Sequence, residues 1–217
     1  MSRLTIAIPT FRRPEDLKRA VGGVLEQASE LAAGPTAEAS GPRTDAEAGT
    51  EGDAAGATDA KGGAGEDVSD IEVLVIDNDA QGSGREAALA AAADAGVPVR
   101  FPADAPVESG GMSVRYVVEE RPGVAAVRNR ALDETAERDL LIFIDDDEDP
   151  EPGWLAALVG LWASTGCQAV AGPVIPVYEI EPEEWVRQGE FFVRRTWPTG
   201  TVRPVAASNC LLLDLGF

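Results

Sequence analysis

The sequence contains no histidine among its 217 residues. This absence excludes Ser-His-Asp and Cys-His nucleophile systems, and it excludes zinc sites that depend on imidazole ligands. Catalysis would therefore have to use carboxylates, arginines, backbone amides and a hard, oxygen-bound cation. The two cysteines, Cys167 and Cys210, form no CxxC pair and lie in apolar surroundings. We interpret them as core residues, and a disulfide or a reactive thiol is the alternative.

Basic charge and long apolar runs are also scarce. The chain has 18 Lys and Arg against 38 Asp and Glu, a formal net charge of -20. This balance argues against binding nucleic acid through a basic surface. The longest apolar runs, such as 140–144, have about five residues, far fewer than a membrane span needs. No basic stretch precedes an apolar segment at the start, so we expect no secretory signal and a cytoplasmic location.

Short apolar segments alternate with helical patterns along most of the chain. This alternation predicts an α/β fold with a mainly parallel sheet and helices on both faces. The predicted strands are 4–8, 71–76, 114–118, 139–144 and 169–171, and the predicted helices begin at Pro14 or cover about 84–95, 123–137 and 153–164.

One segment, residues 34–69, has a different composition. Gly, Ala, Glu, Asp and Thr dominate it, and it shows neither aromatic residues nor apolar periodicity. Such a segment buries too little surface to offset the entropy of ordering it, so we interpret it as a disordered insertion. Residues 1–33 and 70–217 would then form one domain. A loop expansion is the simpler reading of the insertion, and a docking or regulatory role is the alternative.

Polar residues follow three of the predicted strands, and ligands gather at the carboxyl ends of strands in such sheets. Carboxylates that converge on one edge would repel one another unless a cation shared them. Magnesium or manganese fits, because one or two carboxylates hold it while phosphates fill its remaining positions. Turn residues or helix caps facing water are the alternative. The strand-end residues are Thr10, Arg12, Asp77, Asn78, Asp79, Asp145, Asp146 and Asp147.

The helix predicted after Gly123 has an arginine among its apolar residues. Val124, Val127, Ala131 and Leu132 mark a predicted buried stripe, and Arg128 falls on the same stripe. An arginine on the core side needs an anionic partner. That partner is either a neighbouring aspartate, in a structural ion pair, or the diphosphate of a nucleotide, which suits the guanidinium geometry.

Four segments, in the correct order, resemble motifs of family 2 glycosyltransferases. They are the opening strand at 8–13, the second strand at 75–79, the Gly-x-x-x-x-Arg-Asn helix at 123–130 and the DxD motif at 144–147. The segments 147–154 and 171–176, with Trp185, Phe191 and Phe192, look closest to the succinoglycan-type glucosyltransferases. The resemblance implies a GT-A (Rossmann-like) fold.

The resemblance also implies a function. It implies inverting transfer of glucose from a UDP-sugar to a saccharide or lipid-linked saccharide acceptor, in exopolysaccharide or cell-surface glycan synthesis. Peripheral association with the inner face of the cytoplasmic membrane would follow. Carried over by position, Thr10 and Asp77 would hold the base and ribose, and Asp145 and Asp147 would bind a divalent metal, Mn or Mg. The remaining residues implied in the nucleotide-sugar site are Pro9, Arg12, Asp79, Arg128 and Asp146.

The resemblance weakens at the catalytic base. In the family this base lies in an acidic motif that follows an Asn-containing strand. Residues 206–214 look like that strand, and the sequence stops at Phe217. We therefore expect the base beyond Phe217 and the sequence to be a piece of a longer enzyme. One alternative is a non-catalytic or truncated nucleotide-sugar-binding remnant. Another is a nucleotidyltransferase, which would need a glycine-rich loop where 9–14 has no glycine.

Overall fold

The computed structural model of the protein describes residues 2–34, 68–101 and 111–216. The predicted insertion, residues 34–69, lies outside this part except at its two ends. The sheet resumes at Val68, two residues before the predicted domain boundary. The elements are β1 Ser2–Thr10, α1 Pro14–Ala33, β2 Val68–Asp77, α2 Arg85–Asp94, β3 Val99–Arg100, β4 Gly111–Val118, α3 Val124–Glu134, β5 Leu140–Ile144, α4 Trp154–Thr165, β6 Ala169–Ala171, α5 Glu184–Gln188 and β7 Cys210–Asp214.

The strands form one sheet in the order β3-β4-β2-β1-β5-β7-β6. Pairing is parallel from β3 through β5, whereas β7 runs antiparallel to both of its neighbours. Parallel neighbours need long crossovers, and α1, α2 and α3 lie in the connections from β1 to β2, from β2 to β3 and from β4 to β5. The predicted mainly parallel α/β sheet is confirmed.

Helices cover both faces of this sheet. Along β1, Leu4, Ile6 and Ile8 join a core cluster that also contains the buried residues of α1, α2 and α4. Ala7 points to the opposite face, where it belongs to a smaller cluster with α3. The period of two along a strand produces this division. Strands buried on both faces read as continuous apolar runs, which explains the composition of β1, β2 and β5.

The predicted buried stripe of helix α3 is wrong in part. Val127 and Ala131 are buried, but Val124 is 70% and Leu132 is 42% exposed. The buried stripe of this helix is therefore narrower than its apolar composition indicated. Its interior side includes the aliphatic and charged atoms of Arg128, whose guanidinium carbon lies 4.5 Å from the centre of the Phe143 ring.

Between β6 and β7 lies a long connection, residues 172–209, which we call the β6–β7 excursion. Its only described regular element is the short helix α5. It carries most of the large exposed apolar side chains in the described part of the chain, among them Trp185 and Phe191. Its ends meet, because the Gly172 N–H donates to the Cys210 carbonyl at 2.9 Å. Among the described helices, none has the length and apolarity to cross a bilayer.

Candidate functional site

The carboxyl ends of β1, β2 and β5 meet at one edge of the sheet. Thr10, the last residue of β1, is opposite Asp77, the last residue of β2. On the other side of β1, the aspartates that follow β5 come close enough for the Thr10 hydroxyl to donate to Asp146 at 2.7 Å. Residues predicted from three separate strand ends therefore lie in one place. The contacts at this edge form two groups, one around the aspartate triplet and one around the end of β2.

Arg13 pairs with the second and third aspartates of the triplet. Its Nη1 lies 2.7 Å from the Asp147 carboxylate and 3.4 Å from that of Asp146. The Asp146 side chain is only 8% exposed, whereas that of Asp147 is 55% exposed. Burial raises the pKa of Asp146, and hydrogen bonding from Thr10 opposes this shift. Asp146 is thus an internal anchor, and Asp147 is the aspartate presented to solvent.

Arg128 binds the first aspartate of the triplet. Its Nη2 donates to Asp145 at 2.8 Å, and its Nη1 donates to the carbonyl of Ser208. Burial lowers the pKa of Arg128 and raises the pKa of Asp145, although each partner opposes the other's shift. Desolvation therefore outweighs attraction within this pair. The ion-pair alternative for Arg128 is present in the structure, and its contact with a diphosphate stays a prediction.

Glu148 closes the turn that contains the triplet. One oxygen of its carboxylate accepts the Asp145 backbone N–H at 3.1 Å, and the other accepts the Asn209 amide at 2.6 Å. Burial raises the pKa of Glu148 to about 7, and the nearby charge of Asp145 adds to this effect. The turn is thus linked to the start of β7, which is distant in sequence.

The end of β2 is organised by Asp77, whose side chain is fully buried. Its carboxylate accepts the Asp79 N–H at 2.9 Å, the Gly84 N–H at 2.7 Å and the Tyr116 hydroxyl at 2.6 Å. Burial raises the pKa of Tyr116, so the phenol keeps its proton. A Cβ added at Gly84 would lie 2.8 Å from Leu17 Cδ2. Asp77 therefore holds the turn that leads into α2 from a buried position, whereas the alternative above has such residues facing water, and its contact with a nucleotide stays a prediction.

The neighbours of Asp77 make two further contacts at this edge. Arg12 donates to Asp79 at 3.1 Å, and this hydrogen bond lowers the pKa of Asp79. Arg12 has φ of 57°, a left-handed conformation that is costly for a side-chain-bearing residue and concentrates at functional sites. Asn78 accepts the Gly123 N–H at 2.8 Å and donates to the carbonyl of Glu119, which ties the start of α3 to β2.

The structure groups the candidate residues differently from the sequence. Pro9 lies half-buried opposite Ile76 and makes no described side-chain hydrogen bond. Sequence reasoning missed Arg13, Glu148 and Asn209 as members of this cluster. Arg13 directly follows the strand-end residues, and this position could have indicated its role. The partnership of Glu148 with Asn209 depends on the pairing of β5 with β7, for which no local pattern exists.

A divalent metal suits the donor chemistry of this edge. Asp145 and Asp147 each have one oxygen engaged by an arginine, so each keeps lone pairs for a hard cation. Within residues 2–34, 68–101 and 111–216, no group of three or more acidic or cysteine side chains is arranged to hold a metal ion. One or two carboxylates are nevertheless what magnesium and manganese use when phosphates complete their coordination.

Similar folds occur among solved structures, at low sequence identity. A mannosyltransferase from Pyrobaculum calidifontis, in complex with GDP-Man and Mn²⁺, is 17% identical with a TM-score of 0.48. That match covers 79% of this chain and 35% of the other. Glucosyl-3-phosphoglycerate synthase from Mycobacterium tuberculosis, in complex with UDP, is 16% identical with a TM-score of 0.48, over 99% of this chain and 57% of the other.

Sequence comparison gives closer relationships. The succinoglycan biosynthesis protein ExoM of Rhizobium meliloti (strain 1021) is 32% identical over 143 residues, which are 65% of this chain. The match spans 41% of that relative's length. The model of the family described as glycosyl transferase family 2 matches residues 64–210, more than half of the chain. This protein therefore belongs to glycosyl transferase family 2.

Proposed function

We propose that this chain is the nucleotide-sugar-binding domain of an inverting glycosyltransferase that uses a UDP-sugar, with glucose as the sugar. The observation that carries the proposal is the alternation of carboxylates and guanidinium groups at one sheet edge. Asp145 and Asp147 alternate there with Arg128 and Arg13. A diphosphate with its cation brings both charge signs, so it can replace these internal partners group by group.

The charge balance of the triplet supports a metal-bound diphosphate over a bare anion. Three adjacent aspartates face two arginines, so a lone diphosphate would add negative charge to an acidic site. In this proposal Asp145 and Asp147 hold Mn²⁺ or Mg²⁺, and Arg13 and Arg128 bind phosphate oxygens. The cation, when bound, stabilises the charge that develops on the departing nucleoside diphosphate. Asp146 keeps the turn in place through Thr10.

The nucleoside would bind at the end of β2. We assign this role to Pro9, Thr10, Arg12 and Asp79, which lie at the same edge. Asp77 would contribute by holding the loop 79–84, since all three described hydrogen bonds of its carboxylate are internal. The left-handed backbone of Arg12 supports this assignment, because strain of this kind persists where function requires it.

The acceptor is proposed to be a saccharide or lipid-linked saccharide. The relative named for succinoglycan biosynthesis supports a role in exopolysaccharide or cell-surface glycan synthesis. Such an acceptor would place the protein in the cytoplasm at the inner face of the membrane. Inversion requires a carboxylate that takes the proton of the acceptor hydroxyl. From the resemblance, this base is expected after β7. Residues 34–69 would be an insertion in the domain.

Calorimetric titration of the chain with UDP, with and without Mn²⁺, tests the proposal. We expect binding that requires the metal, and a decrease in affinity of about tenfold or more in Asp147→Ala. Asp149→Asn is the matched control, because Asp149 lies on the same turn but pairs with Arg19 at 2.7 Å. Absence of binding with Mn²⁺, or equal affinity in Asp147→Ala, would overturn the proposal.

Transfer assays separate the enzyme from the non-catalytic alternative. Transfer of sugar from a radiolabelled UDP-sugar by this chain would exclude a binding remnant. A second assay uses a protein extended after β7 by the acidic motif that the family resemblance implies. If this protein binds UDP but transfers no sugar, the result would favour the binding remnant.

A further inference from the structure

The β5–β7 ladder ends where the aspartate triplet begins. Its last pair is Ile144 with Cys210, so Asp145 and Asn209 are the first residues beyond the hydrogen-bonded register. Backbone pairing stops at this point, yet the segment after β5 and the segment before β7 stay in contact. In the described structure, side chains make this contact.

Two side chains extend the contact past the ladder. Arg128 reaches from α3 to both the Asp145 carboxylate and the Ser208 carbonyl. Glu148 reaches back along its own turn to the Asp145 N–H at 3.1 Å, and across to Asn209 at 2.6 Å. Asp145 is therefore fixed at two points, its carboxylate by Arg128 and its backbone by Glu148. Both fixing residues also hold the start of β7.

We propose that Glu148 and Asn209 form a positioning pair, which sets the orientation of Asp145 toward the metal-bound diphosphate. This inference rests on the proposed function, since it concerns the geometry of that same site. Neither residue needs to touch the ligand. Asn209 fixes one oxygen of Glu148, the second oxygen then meets the Asp145 N–H, and the backbone of Asp145 is held in one conformation.

The chemistry of the two side chains explains why each is needed. Each oxygen of the Glu148 side chain lies within hydrogen-bond distance of one donor, and in its ionised form the side chain offers only acceptors, so it can then satisfy the Asp145 N–H and the Asn209 amide together. Removing Asn209 would leave a half-buried carboxylate without its second partner, beside Asp145 and Asp147. Glu148 would then turn to solvent and release the Asp145 backbone. Loss of an outer-shell partner of this kind commonly weakens metal affinity by about 10- to 100-fold.

An exchange experiment tests this pair. In Asn209→Asp two carboxylates would face each other, so we expect UDP–Mn²⁺ affinity to fall about tenfold or more. The double variant, Asn209→Asp with Glu148→Gln, exchanges donor and acceptor. The amide introduced at position 148 donates to the carboxylate introduced at position 209, and the amide oxygen still accepts the Asp145 N–H. We expect this double variant to recover most of the affinity. Asp149→Asn, on the same turn, is the control for charge removal alone.

The outcomes distinguish this inference from the proposed function. Urea unfolding of each variant reports whether it is folded at the titration temperature. Unchanged affinity in a folded Asn209→Asp would overturn the inference alone, as would a folded double variant without recovery. If Asn209→Asp does not fold, a folded double variant with affinity near that of the unmodified protein still supports the pair. Absence of UDP–Mn²⁺ binding by the unmodified protein would overturn the proposed function, and this inference with it.

Discussion

The Thr10 hydroxyl donates a 2.7 Å hydrogen bond to the Asp146 carboxylate, joining residues 136 positions apart in sequence. Both residues are buried, so this bond connects β1 to the aspartate turn away from solvent. Because Asp146 is flanked by the two aspartates proposed to bind metal, the bond also determines where they lie.

Replacing Thr10 by valine should destabilise the protein. The β-branched shape is kept, but Asp146 loses its buried donor, and we expect the free energy of unfolding to fall by about 1–3 kcal/mol. Urea denaturation monitored by tryptophan fluorescence measures this change. Thr10→Ser keeps the hydroxyl, and its free energy of unfolding should fall clearly less than that of the valine variant. Equal stability of the valine variant and the unmodified protein would show that the bond contributes nothing net.

Tyr116→Phe should destabilise the loop at the end of β2. The hydroxyl lies 2.6 Å from the fully buried Asp77 carboxylate, and its removal leaves an acceptor short of one donor. The expected loss is about 1–3 kcal/mol in chemical unfolding. Tyr178→Phe is a matched control, because Tyr178 is 45% exposed and should change stability by less than about 0.5 kcal/mol. Similar losses in both variants would contradict the special role of Tyr116.

Alanine substitutions at two glycines should have opposite signs. A Cβ at Gly84 would lie 2.8 Å from Leu17 Cδ2 and 3.1 Å from Asp77 Oδ2, so Gly84→Ala should lower the melting temperature. At Gly22, inside α1, the added Cβ would have no heavy atom within 4 Å apart from its chain neighbours and the adjacent backbone of its own helix. Gly22→Ala should stabilise by about 0.5–1 kcal/mol through helix propensity. Differential scanning calorimetry tests both, and a neutral or stabilising Gly84→Ala would contradict the described packing.

Stability should fall with rising pH in a window set by Glu148. Its pKa is raised from 4.5 to about 7 in the folded state, so the folded chain holds a proton that the unfolded chain releases. The raised pKa values of Asp145 and Asp146 act in the same direction. Between pH 5 and pH 8, in the presence of a chelator, Glu148 should cost on the order of 1–2 kcal/mol, because solvent screening at this partly exposed carboxylate reduces the full effect of the shift.

The control for this pH effect is Glu148→Gln, which cannot titrate. Its free energy of unfolding should vary less between pH 5 and pH 8 than that of the unmodified protein. Urea denaturation at intervals across this range gives the comparison. Parallel curves for the two proteins would contradict the assignment to Glu148. Carboxyl groups with lowered pKa, such as Asp79 and Asp139, titrate below this window and do not disturb it.

The sequence predicted six of the seven described strands, the last of them through the family resemblance, and it missed the two-residue strand β3. Apolar runs such as 71–76 and 140–144 are long enough, and bounded clearly enough, to predict interior strands. Their polar successors then identify the edge, because parallel strands end together. The direction of β7 could not be predicted in this way, since an apolar run does not indicate whether its strand pairs parallel or antiparallel. The contacts of Glu148 and Asn209 depend on that direction, so they required the structure.

Side-chain orientation was the second limit of the sequence. Asp77 and Asp147 occupy similar positions after apolar strands, yet the Asp77 side chain is fully buried and that of Asp147 is 55% exposed. The difference arises from Tyr116 and Gly84, which surround Asp77 from other elements. Likewise, the periodicity of α3 did not predict the exposure of Val124, because Arg128 occupies the adjoining interior position over the Phe143 ring.

The meeting of Gly172 with Cys210 has a consequence for how this fold can diversify. Because the two ends of the β6–β7 excursion are already joined at 2.9 Å, its length contributes only a slowly varying entropy term to folding. Except at Ser208 and Asn209, which contact Arg128 and Glu148, segments of different size and sequence can be accommodated there while the sheet keeps its register. The sheet can thus stay constant while most of the β6–β7 excursion varies, in natural sequences or in engineered ones.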